Sequence, residues 1–255
     1  MSNKTLIVAI LLLSSLGLTA KVDARGPSLV GATVHNLSSS GMDYRNPLVL
    51  TKQNLYRATN VDQVCVFCHT PHGGSLDAPL WNRSFTGAGY NHYSSSTLST
   101  AGANSVRAVN PESLICLSCH DGSVSVGDGL INNAGTVPSN SIGKAIVYLP
   151  GGGAKIGAAR GSDVSNDLTD DHPISISYTA SRAAKLTAFK DLLGAEPNPD
   201  LPLFSGPGYT NTVECSTCHD PHVNYQSATG GDTSFAPFLA MSNAGSAMCL
   251  ACHNK

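Results

Sequence analysis

All eight cysteines and four of the nine histidines of this chain fall into one pattern. Cys65, Cys68 and His69 form CVFCH; Cys116, Cys119 and His120 form CLSCH; Cys215, Cys218 and His219 form CSTCH; Cys249, Cys252 and His253 form CLACH. Two thiols three residues apart lie on one face of a helical turn. From there they can add across the two vinyl groups on one edge of a porphyrin, giving two thioethers. The imidazole that follows is then carried over the ring to the iron. C-x-x-C-H therefore marks c-type haem attachment, and these motifs predict four covalently held haem c groups. Disulfides would account for cysteines in an exported chain, but not for a histidine after every second one. Zinc knuckles and redox dithiols do not demand that histidine four times either.

The first and third motifs run on to CVFCHTPH and CSTCHDPH, so that His72 and His222 each stand three residues beyond a motif histidine. On a helical turn such a pair projects to the same side. It cannot hold opposite faces of one iron, so each extra histidine is expected to serve a different haem. That ties two haems together through a short length of backbone, in a geometry suited to electron hopping. Four haem irons need four distal ligands, and five histidines lie outside the motifs: His35, His72, His92, His172 and His222. His172 stands in DDHPISISY, fixed by its proline at the entrance to an alternating, β-branched strand. His35 stands in ATVHNLSSS, near the start of the mature chain. His35, His72, His172 and His222 make up the expected distal set. His92, in the Gly/Ser/Tyr-rich stretch GYNHYSSS, is the spare and is expected to face solvent. Met42, Met241 and Met248 stand in no repeated pattern, so histidine is expected over methionine, which would raise the potential.

The surroundings that must position these groups are sparse. Lys4 precedes an apolar run at residues 6–18, too short to span a bilayer and of the length of a signal-peptide core. Residues 1–24 are read as a signal peptide, with cleavage after VDA at Ala24 or after LTA at Ala20. No other apolar stretch is long enough for a membrane span, and no cysteine near the cleavage site offers a lipid attachment point. The mature protein is expected to be exported and soluble. Its formal charge of −2 gives no footprint for nucleic acid. With 25 Gly, 14 Pro and only 6% aromatic residues, long periodic segments are few. Porphyrin is therefore expected to fill much of the interior. The expected fold class is a multihaem cytochrome c, mostly coil with short helices and a few short strands packed around a haem chain. Residues 25–255 are read as a single domain, with 121–214 a haem-free lobe between the two haem pairs. Within that lobe GSVSVGDG and PGGGAKIGAARG read as short strands and turns, and residues 180–194 as a helix stopped by Gly194.

Taken together, HNLSSS, CVFCHTPH, PLWN, CLSCHDG, DDHPISISY, VECSTCHDPH, FL and the terminal CLACHNK resemble the multihaem cytochromes of metal-reducing bacteria, with their doubled C-x-x-C-H motifs. Four motifs in this order and length look most like the OmcE-type tetrahaem cytochromes. The resemblance spans the mature chain, and the haem motifs are its specific part. It implies that all four haems are bis-histidine. It also implies that copies of the chain polymerise into an extracellular filament with a continuous haem chain. Electrons would arrive from upstream outer-membrane or periplasmic cytochromes and leave to extracellular acceptors such as metal oxides. In such filaments a histidine of one subunit can cap a haem of its neighbour, and His35 is the candidate for that role. His253, two residues before Lys255, leaves little chain to cover the fourth haem, which suits contact with another redox centre.

Catalysis at iron needs an open or labile axial position. The supply of histidines closes all four, so outer-sphere electron transfer is expected and an enzyme is not. Two alternatives keep the same haems. One is a monomeric periplasmic or surface shuttle, distinguished by its aggregation state. The other is a multihaem reductase of a nitrogen or sulfur oxyanion, which a high-spin haem or rapid CO binding would reveal.

Overall fold

Asn110 and Pro111 open the longest helix among the described residues. Proline has its φ preset near the helical value and lacks an N–H at a position where none is needed. The helix, α1, runs Pro111–His120 and carries the whole second motif. Glu112 in its first turn and His120 in its last suit the helix dipole. The computed structural model describes residues 29–41, 58, 61–75, 80–84, 89–95, 98, 108–123, 131, 156, 164–194 and 196–254. The signal peptide read at 1–24, with both cleavage points, lies outside them, as do most of GSVSVGDG and PGGGAKIGAARG.

The other helices are short. Tyr178–Ala184 is α2, capped by the Ser177 hydroxyl, which accepts from the Ala180 amide. Cys215–Cys218 is α3, begun by a reciprocal cap between Glu214 and Thr217. Ala247–Cys252 is α4, and Cys65–Phe67 forms a 3-10 turn. Every motif thus starts as a helical turn.

The strands are shorter still. Asn91–His92 (β1) pairs in parallel with Asp167–Leu168 (β2). Ile176–Ser177 (β3) and Phe204–Gly206 (β4) flank Tyr209–Val213 (β5), both antiparallel to it. Gly206 is needed in this sheet because a Cβ there would come within 2.5 Å of the Tyr209 hydroxyl. The described residues are therefore mostly coil joined by short helices and strands. None of their helices is long and apolar enough to cross a membrane.

Among the described residues, buried apolar side chains gather in three small clusters, each built on motif residues. Val66, Phe67 and Cys68 of the first motif join Ala58 and Val61. Leu117 of the second joins Val109 and Leu168. Cys218 and Cys252, of the third and fourth, pack against Leu201, Ala240 and Met248. The region 164–214 is stitched onto α1 by polar contacts. Asn110, whose carbonyl accepts from the Ser113 and Leu114 amides of α1, also reaches distant partners: its amide donates to Ser175 Oγ at 2.9 Å and its side chain to Glu214 Oε1 at 2.7 Å.

Two readings need correction here. The helix read at 180–194 is only Tyr178–Ala184. At Lys185 the backbone leaves helical geometry, because Phe189 is used in extended form against His253, and tertiary pairing outweighs local propensity. Gly194, with φ +82, turns a tight loop between Leu193 and Glu196. The strand read after His172 lasts two residues before Ser177 caps α2.

Candidate haem attachment sites

Three of the four motifs share one backbone design. The motif histidine closes the helical turn, its amide donating to the first cysteine's carbonyl: His69 to Cys65 at 2.8 Å, His219 to Cys215 at 3.0 Å, His253 to Cys249 at 2.9 Å. The chain then extends, with φ −121 and ψ 137 at His219 and φ −105 and ψ 142 at His253. Each histidine pairs across an isolated antiparallel bridge with a bulky residue: His69 with Trp81, His219 with Leu239, His253 with Phe189.

The flanking bonds repeat too. The amide after each histidine donates to the residue before its bulky partner: Thr70 to Leu80 at 3.0 Å, Asp220 to Phe238 at 2.8 Å, Asn254 to Ala188 at 2.9 Å. The amide after the bulky partner donates to the second cysteine's carbonyl: Asn82 to Cys68 at 2.9 Å, Ala240 to Cys218 at 2.8 Å, Lys190 to Cys252 at 2.9 Å. This clamp fixes the backbone that carries each imidazole. In the two C-x-x-C-H-x-P-H copies the likeness goes further. Leu80 (φ 61) and Phe238 (φ 58) hold the same clamp position in the left-handed region, which non-glycine residues seldom enter.

Sequence reasoning missed the clamp. Trp81, Leu239 and Phe189 share only bulk, and the last precedes its motif in the chain while the others follow theirs. The PLWN and FL segments carry the only signal. The second motif differs: His120 stays within α1, and its carbonyl accepts from the Val164 amide at 2.8 Å.

Six of the histidines stand close together two by two. His35 and His120 have ring centroids 6.2 Å apart, with planes at 75°. His69 and His222 are 6.2 Å apart, with planes at 11°. His172 and His253 are 6.5 Å apart, with planes at 65°. Each pair joins one motif histidine to one from outside the motifs. An imidazole nitrogen binds a metal at about 2 Å, so two rings on opposite sides of one ion have centres roughly 6 Å apart. His72 and His219 are both exposed. His92 is buried, at 6% exposure, and this corrects the reading of it as a solvent-facing residue: the β1–β2 pairing turns its side chain inward.

Several rings are held by one nitrogen. His172 Nδ1 lies 3.0 Å from the Pro173 carbonyl, His219 Nδ1 3.0 Å from the Pro237 carbonyl, and His222 Nδ1 2.7 Å from Asp220 Oδ1. A carbonyl or carboxylate only accepts, so Nδ1 carries the proton in these contacts and Nε2 keeps its lone pair. That is the arrangement by which histidine ligands of metals are oriented. His35 has a buried Nδ1 with no hydrogen-bond partner. Burial, reinforced by neighbouring His120, lowers its pKa to about 4, so this ring stays neutral. The hydrogen bond to Asp220 raises that of His222 instead.

None of the eight cysteines is joined to another in a disulfide. Burial pushes Cys68 up to about 12, and Cys218 and Cys252 up to about 11. Cys116 and Cys215, the first cysteines of the second and third motifs, share a hydrogen bond that raises Cys116 and lowers Cys215. The attachment edges of those two motifs therefore adjoin. Among the described residues no group of three or more His, Cys, Asp or Glu side chains converges as a zinc site would require. Paired imidazoles beside paired thiols fit haem instead, because the porphyrin supplies the remaining donors to its iron.

Compared with protein-family models and with curated proteins, the chain matches none.

Proposed function

We propose that this protein is an exported tetrahaem c-type cytochrome that carries electrons by outer-sphere transfer. The observation that carries the reading is the make-up of the histidine pairs. His120, His69 and His253 each lie one metal's width from a histidine outside the motifs, namely His35, His222 and His172. Each of these pairs joins a motif histidine to one from outside the motifs. In this reading His120, His69 and His253 are proximal, their partners are distal, and His72 serves the third site, whose motif histidine is His219. The Cys65/Cys68, Cys116/Cys119, Cys215/Cys218 and Cys249/Cys252 thiols hold the four groups.

Bound haem supplies one-electron exchange between ferric and ferrous iron. The chain's own residues do the rest. Nδ1 anchors at Pro173, Pro237 and Asp220 aim the lone pairs of His172, His219 and His222. The clamps at Trp81, Leu239 and Phe189 hold the motif histidines against displacement. Two histidines on each iron favour low potentials and leave no position for a substrate, which argues against a reductase.

The likeness to OmcE-type cytochromes supports the further step that copies of the chain assemble into an extracellular filament. Filament partners would then be identical chains, upstream cytochromes and extracellular acceptors such as metal oxides. His35, paired with His120 in the same chain, acts within its subunit in this reading. Exposed His72 and His219 lie where neighbouring material can reach them.

Intact mass of the secreted protein together with electron microscopy tests both steps. Four added haem masses and thin regular filaments are expected. Four haems in dispersed particles at high concentration would turn the reading to a monomeric shuttle, and a chain without haem would end it.

A further inference from the structure

Glu214 is the most deeply buried acidic residue described, at 1% exposure. It directly precedes the third motif. Its carboxylate accepts from Asn110 Nδ2 at 2.7 Å, Ser113 Oγ at 2.6 Å and Ser175 Oγ at 3.1 Å, while its backbone carbonyl accepts from the Thr217 amide at 3.0 Å at the start of α3. These three donors to the carboxylate are all neutral, so they satisfy the oxygens without cancelling the charge. Ser113 also accepts from the Cys215 amide at 3.0 Å, and it stands one turn before Cys116 on α1. The carboxylate thus sits at the junction of the second and third motifs, where Cys116 and Cys215 adjoin. Attraction between charges in such poorly solvated surroundings is far less screened than in water.

We infer that Glu214 is a fixed negative charge that lowers the reduction potentials of the haems on the second and third motifs. This rests on the haem reading above. Ferric iron carries one positive charge more than ferrous, so a nearby buried anion favours the oxidised form. Glu214 touches no reacting atom. It sets potential through the field it exerts, and its neutral donors exist to keep the charge in place.

The test is a redox titration of the full secreted protein, followed by NMR of haem methyl resonances assigned to each motif. In Glu214→Gln, the haems on the second and third motifs should move to higher potential while the other two hold. Glu214→Asp, which keeps the charge, should stay near the wild type. An unchanged pair in a Glu214→Gln protein carrying four haems by mass would overturn the inference, as would an equal rise at all four haems. Should the Gln variant not fold, wild-type protein labelled with ¹³C-glutamate gives the answer. Its redox-difference infrared spectrum should contain a glutamate carboxylate band that follows the same two haems, and absence of that band would overturn the inference. Wild-type protein without haem by mass would mean instead that the underlying reading fails.

Discussion

His69 and His222 face one another across 6.2 Å with ring planes within 11° of parallel, although they belong to different C-x-x-C-H-x-P-H copies. The extra histidine of the third motif is thereby placed at the first. The backbone from His219 to His222 ties the third site to the first, with Asp220 orienting His222 through Nδ1. Replacing His222 with Ala should convert one haem in four from low to high spin while all four remain attached. His72→Ala should convert a different one. Electron paramagnetic resonance with intact mass reads both, and the same haem responding in each variant would refute the pairing.

Acid should release the distal histidines in a set order. Protonation competes with iron for Nε2. The hydrogen bond to Asp220 raises the pKa of His222, so the proton wins there at higher pH. Burial and neighbouring His120 lower His35 to about 4, so His35 holds its iron to lower pH. On acidification the His69–His222 site should turn high-spin before the His35–His120 site, and that step should be missing from the acid titration of His222→Ala. The same first step persisting in that variant would contradict the order.

The Trp81 clamp should matter for stability. Trp81 is buried, bridges to His69 and donates from Nε1 to Ser118 Oγ at 3.2 Å, linking the first motif to α1. Trp81→Ala should cost about 3–5 kcal/mol. Trp81→Phe, which loses chiefly the hydrogen bond, should cost about 1 kcal/mol. Thermal unfolding of the two variants checks the difference.

Tyr178 plays the matching part at the fourth motif. Its ring is 2% exposed, and its hydroxyl is shared between the Lys190 carbonyl at 2.9 Å and the Cys252 carbonyl at 3.0 Å. Tyr178→Phe leaves those carbonyls without this donor and should destabilise by about 1–2 kcal/mol. Its haem content should not change, since no thiol or imidazole is touched. Denaturant unfolding and intact mass give the two readouts.

How much of this was legible in the sequence depends on range. The motif cysteines lie on helical turns, as thiols three apart require, because that geometry is local. His172 and His222, singled out by their proline neighbours, and His35, by its place near the start of the mature chain, each lie beside a motif histidine. Tertiary pairings were not legible. Nothing in GYNHYSSS shows that Asp167 and Leu168 will bury His92. Phe189 reads as helical until His253, far along the chain, pairs with it. The clamp residues share no type, only a register against the motif, and register is a property of the fold. The Glu214 junction gathers Asn110, Ser113 and Ser175 from distant segments, so no window of sequence contains it.

In the proposed function motif and outside histidines meet in pairs on four irons. This pairing is tested most directly by quantitative electron paramagnetic resonance of the oxidised, secreted protein at neutral pH, calibrated to its haem content. The account predicts four low-spin ferric haems per chain and no high-spin signal. A high-spin fraction near one haem or more per chain would contradict it, leaving at least one iron without its second histidine.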